Sequence, residues 1–405
     1  MIPIKNKRFK VLSFFLYFCL SLNAWGQENA SEQNSFKTFL KDIDFTTRIK
    51  LEHDDNIFLS ETDENSDLKQ ILTQGMKYSK SFGKQYVSWN YVGNYSYFDG
   101  ESEEVLSHSG KVLYSYRPYD KFSIGLKNDV TWLQNSNITT AISDRLLALG
   151  YTQVMPGIQV KYEMGPATTF VSDLGYQSLN VSDDANDTFI DNDEFKTKTA
   201  LNQVLFDDRN LLGTAGFDWE RVNFTHTAAK GSATTRPFIG LLKKFPGVVN
   251  AAAEIGFADI DIENPDDEDD NNVDFTVSLE SVFSLYTKLN ASYTGMNKSH
   301  SLRSDYVQYT SNLVNLGLSH AISPKSLLSA NYSYELQDFD SIDAIAGSPR
   351  VDHEANIYNV NLAFNQQLNS WLTAEVSYGH VTRDTDFASE SYEDNKYGIG
   401  LTARY

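Results

Sequence analysis

Apolar and polar residues alternate along most of this chain, in about eighteen runs of roughly ten residues each. In VDFTVSLE (273–280), for example, every odd-numbered residue is apolar and every even-numbered residue is polar. Successive side chains of a β-strand point to opposite faces, so the alternation predicts strands with one apolar and one polar face. A chain with this many such strands needs a fold that covers the apolar face of nearly all of them.

The connections between the runs are of two kinds that alternate along the chain. Eight are tight turns, such as 82–85 and 165–167, and nine are longer and often acidic, such as 182–194 and 262–272. Strands in soluble sandwiches are usually about 5–6 residues long. Strands of about 10 residues, joined by short turns at one end and long loops at the other, are typical of outer-membrane barrels. We therefore predict an all-β fold: a transmembrane antiparallel β-barrel of about eighteen strands, with sixteen as the alternative, short periplasmic turns and long acidic extracellular loops.

The start of the chain has the three parts of a secretory signal peptide. A basic opening leads into the apolar run 11–22, and small residues then flank Trp25. The apolar run is too short to span a bilayer of about 30 Å as a helix. The division that we expect is a signal peptide over 1–26, a short periplasmic lead over 27–42 and an outer-membrane barrel over 43–405.

Cysteine content and charge narrow the class of protein. The single cysteine, Cys19, lies inside the expected signal peptide, so the exported chain has no disulfide to stabilise it. The formal net charge of −20 has the wrong sign for binding nucleic acid. Export combined with a barrel fold predicts the outer membrane of a Gram-negative bacterium, in contact with outer-membrane lipid and lipopolysaccharide.

The chain ends on an alternating strand, KYGIGLTARY (396–405). Chain ends usually fray unless something ties them down. Pairing of this strand with the first one, 43–53, would close the barrel. The ending also resembles the C-terminal assembly signal of outer-membrane proteins, in which a glycine (Gly400) is followed by apolar residues (Ala403 and Tyr405).

In each run, the polar residues of the alternation are expected to face the interior of the barrel, and several of them are charged. A Lys or Arg facing lipid at the bilayer midplane costs about 2–4 kcal/mol, so these charges are expected around water. Barrels of 16–18 strands leave an aqueous channel. A lining that carries both signs of charge suits a hydroxyl-rich solute that is uncharged or has charges of both signs. The alternative is a lining that has no preference among solutes. The candidate pore-lining residues are Lys77, Lys127, Asp129, Asp173, Asp218, Glu220, Asp274, Glu280, Lys288, Glu335 and Glu375.

One long connection, 134–153, carries apolar residues at near-helical spacing and a single acidic residue. It joins the fifth and sixth strands, and in general porins the loop at this position folds into the pore. By that resemblance, Asp144 and Arg145 would lie at a constriction. The alternative is that the segment extends the sixth strand above the membrane.

Three loops are dense in acidic residues: 54–67, 183–194 and 264–272. None contains the glycine of an EF-hand loop. One interpretation is a set of specific divalent-cation sites. The interpretation that we favour is a hydrated outer surface, bridged to anionic lipopolysaccharide by Ca²⁺ or Mg²⁺. No other cofactor and no protein metal site is expected.

Catalytic motifs of the familiar kinds are missing from the sequence. There is no H-E-x-x-H, and no nucleophile elbow of the G-x-S-x-G type. We expect a protein that is not an enzyme. The alternative is an outer-membrane lipid hydrolase, in which a serine on the barrel wall lies next to His108, His320 or His380.

The segment LEHDDNIFLSETDENSDL (51–68) resembles the opening of the β-barrel porin 2 family. The match consists of Asp54, Asp55 and Asn56, followed by the apolar residues Ile57 and Phe58. The resemblance implies a channel that exports an exopolysaccharide, delivered by a component of a periplasmic export machinery. A general diffusion porin for small solutes is the alternative.

Overall fold

The computed structural model describes residues 42–57, 66–100, 103–134, 150–181, 192–206, 208–224, 231–245, 249–262, 270–299, 308–339, 353–385 and 391–405. The expected signal peptide and almost all of the expected periplasmic lead lie outside these residues, so both stay predictions. Within the described residues, no helix is long and apolar enough to cross a membrane.

The described residues form eighteen β-strands, which confirms the larger of the two predicted counts. The strands are 12 to 17 residues long. They are β1 (Ile43–Asp54), β2 (Asp67–Phe82), β3 (Gln85–Phe98), β4 (Glu103–Tyr119), β5 (Phe122–Leu133), β6 (Tyr151–Glu163), β7 (Thr168–Val181), β8 (Asn192–Leu205), β9 (Asp208–Phe224), β10 (Ser232–Phe245), β11 (Val249–Ile262), β12 (Asp270–Val282), β13 (Thr287–Ser299), β14 (Gln308–Ser323), β15 (Ser326–Phe339), β16 (His353–Gln367), β17 (Leu372–Thr385) and β18 (Tyr392–Arg404).

The strands close into a single antiparallel barrel. Each strand pairs with its neighbours in sequence, and β1 also pairs with β18, for instance through Ile49 opposite Leu401. Tyr405 N–H donates to Phe45 O at 2.9 Å, and Phe45 N–H donates to Tyr405 O at 3.1 Å. The last residue of the chain is therefore part of the closing seam. Closure leaves no unpaired edge, which is what a sheet in lipid requires.

The predicted asymmetry of the connections is confirmed. The eight short ones have two to four residues and lie at the barrel end that holds the start of β1 and the end of β18, the turn end. The nine longer ones, of four to seventeen residues, join strand ends at the opposite end of the barrel, the loop end. Gly83 has a φ of 59° in the two-residue turn between β2 and β3, a left-handed conformation that glycine adopts without a steric cost.

Several strands run further into the long connections than the sequence predicts. β6 begins at Tyr151, β8 at Asn192 and β12 at Asp270, each inside a predicted loop. Hydrogen bonds between neighbouring strands continue past the membrane and keep the backbone groups paired there. Polar side chains at these levels contact water, so their exposure carries no desolvation cost. The outward-facing Asp384 and Glu393 lie in such protruding strand ends.

The two faces of the closed sheet differ in chemistry. Large apolar side chains such as Ile49 (54% exposed), Val376 (58%) and Ile399 (59%) lie on one face. The other face carries ion pairs that reach across a strand: Arg48 on β1 contacts Glu375 on β17, past β18. Because side chains converge on the concave side of a curved sheet, the ion-pair face is the inner one. Directly paired residues share a face, so the register assigns the remaining strand residues.

Aromatic side chains border the apolar outer face at both ends. Near the loop end, Trp132 is the last residue but one of β5 and stacks on His108, with ring centroids 5.3 Å apart. At the turn end, Trp371 stacks on Tyr405 at 6.4 Å. Aromatic residues at these two levels are typical of membrane interfaces. The outer face is therefore the lipid-facing surface, and the inside of the barrel is polar where a soluble protein would have its apolar core.

Candidate functional site: the inner face of the barrel

The register places all of the predicted pore-lining residues on the inner face. Lys77 lies opposite Asp44 and Asp129 lies opposite Lys111, for example, and both pairs share the face of the ion pairs. The inner-face residues predicted from the sequence are Lys77, Lys127, Asp129, Asp173, Asp218, Glu220, Asp274, Glu280, Lys288, Glu335 and Glu375. The parity rule works because one apolar face per strand fixes the orientation of every other residue.

A cluster around Arg236 forms one wall of this face. Arg236 Nη1 lies 2.9 Å from Asp218 Oδ2 and 3.0 Å from Glu254 Oε1, and its Nε lies 3.0 Å from Asp274 Oδ2. Lys198 approaches the first two carboxylates at 3.5 and 3.8 Å. We call these five residues the Arg236 cluster. It ties five consecutive strands, β8 to β12, together by side chains as well as by the backbone ladder.

The Arg236 cluster is packed around an aromatic ring. Phe238, 4% exposed, has Lys198 Nζ 4.3 Å from its ring centroid and Arg236 Cζ at 5.5 Å. Gly256 faces the guanidinium, and a Cβ at that position would lie 2.6 Å from Arg236 Nε. The glycine is needed because the guanidinium lies directly on the backbone of β11.

Arg236, Lys198 and Glu254 are not among the residues predicted from the sequence. Besides Arg236, the inner face of β10 carries the apolar residues Phe238 and Leu242. Apolar residues therefore occur on both faces of this strand, and its sequence alone does not show which residues point inward. The signal that would have found Arg236 is its register opposite Asp218, which only the structure gives.

A recess lies beside the Arg236 cluster. It has a volume of about 610 Å³ and combines charged groups with the apolar side chains of Ile260 and Met296. Lys196 borders the same recess and lies 3.3 Å from Glu220, with Glu194 as its second partner. This mixture of fixed donors, acceptors and apolar patches suits a small polar molecule better than a bare ion.

A second cluster lies at the seam where the barrel closes. Lys396 Nζ lies 3.3 Å from Asp54 and 2.7 Å from Asp394, and Lys50 pairs with Glu52. β1 and β10 are nine strands apart in the ring of eighteen, so the two clusters face each other across the lumen. With strands about 4.8 Å apart and tilted about 40°, the backbone diameter is roughly 35 Å, too wide for side chains on opposite walls to touch.

The Asp-Asp-Asn motif belongs to this seam. Asp54 pairs with Lys396, Asp55 accepts hydrogen bonds from Asn395 N–H (2.5 Å) and Asn395 Nδ2 (3.0 Å), and Asn56 Nδ2 donates to Glu393 O at 2.7 Å. All three residues thus fasten the top of β1 to β18. The following Phe58 lies outside the described residues.

Charge on the described inner face is nearly balanced. The basic side chains are Arg48, Lys50, Lys69, Lys77, Lys111, Lys127, Lys161, Lys196, Lys198, Arg236, Lys244, Lys288, Arg383, Lys396 and Arg404. The acidic ones are Asp44, Glu52, Asp54, Asp67, Asp129, Glu163, Asp173, Glu194, Asp218, Glu220, Glu254, Asp274, Glu280, Glu335, Glu375 and Asp394. The acidic excess of the whole chain therefore does not come from this lining.

The predicted constriction residues, Asp144 and Arg145, lie outside the described residues, as do most positions of the three acidic loops. Within the described part of the chain, no group of three or more His, Cys, Asp or Glu side chains is arranged to hold a metal ion. The bridging of acidic loops to lipopolysaccharide by Ca²⁺ or Mg²⁺ stays a prediction.

Histidines on the outer wall do not meet the serines that the sequence suggested. His108 Nδ1 bonds to the Tyr91 hydroxyl at 2.7 Å, and His320 Nδ1 bonds to Thr287 Oγ1 at 2.9 Å. His380 bonds to a threonine and an asparagine. The neighbouring serines Ser107, Ser109, Ser319 and Ser377 all lie on the inner face. The idea of a wall serine beside these histidines is wrong, because adjacent strand residues point to opposite faces.

Comparison with known proteins supports the fold and nothing finer. No family model and no curated protein matches the chain, so its resemblance to the β-barrel porin 2 family stays a prediction. The iron transporter FrpB from Neisseria meningitidis matches with a TM-score of 0.50 and 10% identity, over 86% of this chain and 63% of that one. OccK2 from Pseudomonas aeruginosa, solved with glucuronate, matches with a TM-score of 0.49 and 10% identity, over 90% of this chain and 99% of that one. A BenF-like porin from Pseudomonas fluorescens Pf-5 matches with a TM-score of 0.49 and 12% identity, over 91% of this chain and 100% of that one. The closed barrel with its apolar outer face is that of an outer-membrane protein.

Proposed function

We propose that this protein is a channel through which small polar solutes diffuse across the outer membrane. The observation that carries the proposal is the inner face, where cations and carboxylates are nearly equal in number and mostly paired with each other. Such a lining offers hydrogen bonds to hydroxyl-rich solutes without excluding either sign of ion. Eighteen strands leave room for water along the axis. Transport of this kind needs no catalytic step.

The exopolysaccharide exporter implied by the family resemblance is the second candidate. Its support is the Asp54, Asp55 and Asn56 motif, and those side chains fasten β1 to β18 at the seam. A role in closing the barrel explains the motif without any polymer. We therefore rank the diffusion channel first.

Reconstitution of the purified protein without partners distinguishes the two. A diffusion channel gives step conductances in planar bilayers and lets liposomes swell in uncharged sugars, at rates that fall as the sugar grows. An exporter that depends on a periplasmic partner stays closed. A preparation that is folded, as judged by heat-modifiable migration on a gel, yet conducts nothing and admits no sugar would overturn the channel.

A matched pair of charge reversals tests whether the inner face lines the conducting path. Glu280 lies on the inner face, whereas Glu354 is an exposed residue on the outer face near the loop end. Glu280→Lys should shift the reversal potential in a KCl gradient toward anion preference. Glu354→Lys should leave it close to the wild-type value.

A further inference from the structure

Four polar side chains form one hydrogen-bond chain on the outer wall near the loop end. Thr382 Oγ1 lies 3.0 Å from His380 Nε2, and His380 Nδ1 lies 2.9 Å from Asn395 Oδ1. Asn395 Nδ2 lies 3.0 Å from Asp55 Oδ2. His380 and Thr382 are two residues apart on β17 and so share its outer face, and Asn395 is the residue of β18 directly opposite His380.

The direction of every hydrogen bond in this chain follows from its last member. An ionised carboxylate only accepts, so the Asn395 amide turns its Nδ2 to Asp55 and its Oδ1 to His380. His380 Nδ1 must then carry the proton, because Asn395 Oδ1 only accepts. His380 Nε2 is left unprotonated and accepts from the Thr382 hydroxyl. A hydroxyl donating to an imidazole that is oriented by a third group is the arrangement of an activated nucleophile.

An apolar groove adjoins the hydrogen-bond chain on the side of the membrane centre. It has a volume of about 530 Å³, and its lining includes Leu51, Leu362, Phe364, Val376 and Ile399 on the lipid-facing wall. Tyr378 belongs to both features: its ring lines the groove and its hydroxyl donates to Asn395 Oδ1 at 2.9 Å.

We propose that Thr382, His380 and Asn395 form a catalytic triad that hydrolyses acyl esters of membrane lipids. The position suits that substrate, since a lipid has its ester groups between the polar surface and the apolar interior of the bilayer. The acyl chain would lie in the groove below Tyr378 while the ester carbonyl reaches Thr382. Asp55 is a positioning residue that acts through Asn395. This activity is independent of the proposed channel, because the triad and the lumen lie on opposite faces of the wall.

The chemistry balances without a cofactor. Thr382 Oγ1 attacks the ester carbonyl carbon as its proton passes to His380 Nε2, and the tetrahedral adduct collapses with release of the lipid alcohol, which takes that proton. Water then attacks the acyl-threonine, with His380 as the base, and releases a fatty acid and free Thr382. The carboxylate of Glu393 lies 3.9 Å from His380 Nδ1.

The barrel contains a second histidine–threonine pair that serves as a control. Thr287 and His320 are hydrogen-bonded on the outer wall, but they lie at the turn end, and the register neighbours of His320 are Thr287 and Leu328. Loss of this hydroxyl removes a similar hydrogen bond without touching the proposed triad.

The test uses the full chain purified in detergent, with mixed micelles of dioctanoyl phosphatidylcholine as the probe and released fatty acid as the readout. Thr382→Ala and His380→Gln should lower the rate by about 100-fold or more, the usual contribution of a nucleophile and its base. Thr382→Ser should keep activity, and Thr287→Ala should match the wild type. Heat-modifiable migration checks that each variant is folded. Val376→Trp, which fills the groove, should impair an octanoyl ester more than an acetyl ester.

A covalent probe keeps the proposal testable even if a variant folds poorly. A fluorophosphonate applied to the wild type should label the peptide that contains Thr382, as located by mass spectrometry. Equal rates for the wild type and Thr382→Ala would overturn the proposal. Wild-type protein that releases no fatty acid above the protein-free rate and takes up no label would overturn it as well, whatever the conductance measurements show.

Discussion

Replacing Arg236 with methionine measures how much an inner-face ion cluster contributes to barrel stability. The Arg236 side chain is 14% exposed and lies within 3.0 Å of three carboxylates. Methionine keeps the length of the stem but leaves Asp218, Glu254 and Asp274 facing one another. Lys198 then remains as their nearest cation in the Arg236 cluster, at 3.5 Å or more and 48% exposed.

The size of the loss follows from this geometry. Removing one partner of a buried ion pair costs about 3–5 kcal/mol, because the remaining charge is left uncompensated. The cluster borders water in the lumen, so the lower end applies, and we expect a fall of about 3 kcal/mol in the free energy of unfolding. Adding Asp218→Asn to the same variant should restore part of the loss, since it removes one of the repelling charges.

Urea unfolding of the protein in lipid vesicles, followed by tryptophan fluorescence, gives the measurement, under conditions where unfolding and refolding curves coincide. Lys111→Met is the matched control: Lys111 Nζ lies 2.8 Å from Asp129, but its side chain is 61% exposed. A single exposed pair contributes at most about 1 kcal/mol. Losses of equal size in Arg236→Met and Lys111→Met would show that burial within the cluster does not set the size of the loss.

Three further predictions follow from the described contacts. Gly256→Ala should reproduce part of the Arg236→Met loss, because its methyl would meet the guanidinium at 2.6 Å, whereas Gly110→Ala should be tolerated since nothing lies within 4 Å. Asp55→Ala removes two charge-assisted hydrogen bonds to Asn395 and should lower the free energy of unfolding by about 2–3 kcal/mol. On a gel, the variant should convert from the folded to the unfolded band at a lower temperature than the wild type. Tryptophan fluorescence should be quenched strongly by brominated lipid chains and weakly by aqueous iodide; a stronger effect of iodide would contradict the assignment of faces. The tryptophans concerned are Trp89, Trp132, Trp219 and Trp371.

The period-2 pattern was enough to predict the barrel and the faces of its strands. In β12, each of Val273, Phe275 and Val277 needs an apolar surrounding, so the intervening residues have to face water. Strand count and the direction of the turns followed from the same pattern, since a tight turn and a long loop must alternate along an up-and-down barrel.

Contacts between strands could not be predicted, because they depend on register. The partners of Arg236 come from three other strands, and β10 mixes apolar and charged residues on one face. His380 and Thr382 are visible as a pair with matching parity, but Asn395 joins them only through the pairing of β17 with β18. Asp55 reaches Asn395 from the other end of the chain, a contact that requires the barrel to be closed.

Cysteine accessibility along β12 is a direct test for a water-filled polar lumen inside a lipid-facing wall. A Cys19→Ser background removes the single natural cysteine, so each introduced thiol is read alone. Single cysteines at residues 275 to 280, in protein reconstituted into vesicles, would be treated with a charged, water-soluble thiol reagent. A water-filled lumen predicts rapid labelling at the even positions, 276, 278 and 280, and protection at the odd ones. Labelling without alternation, or at the odd positions, would contradict it.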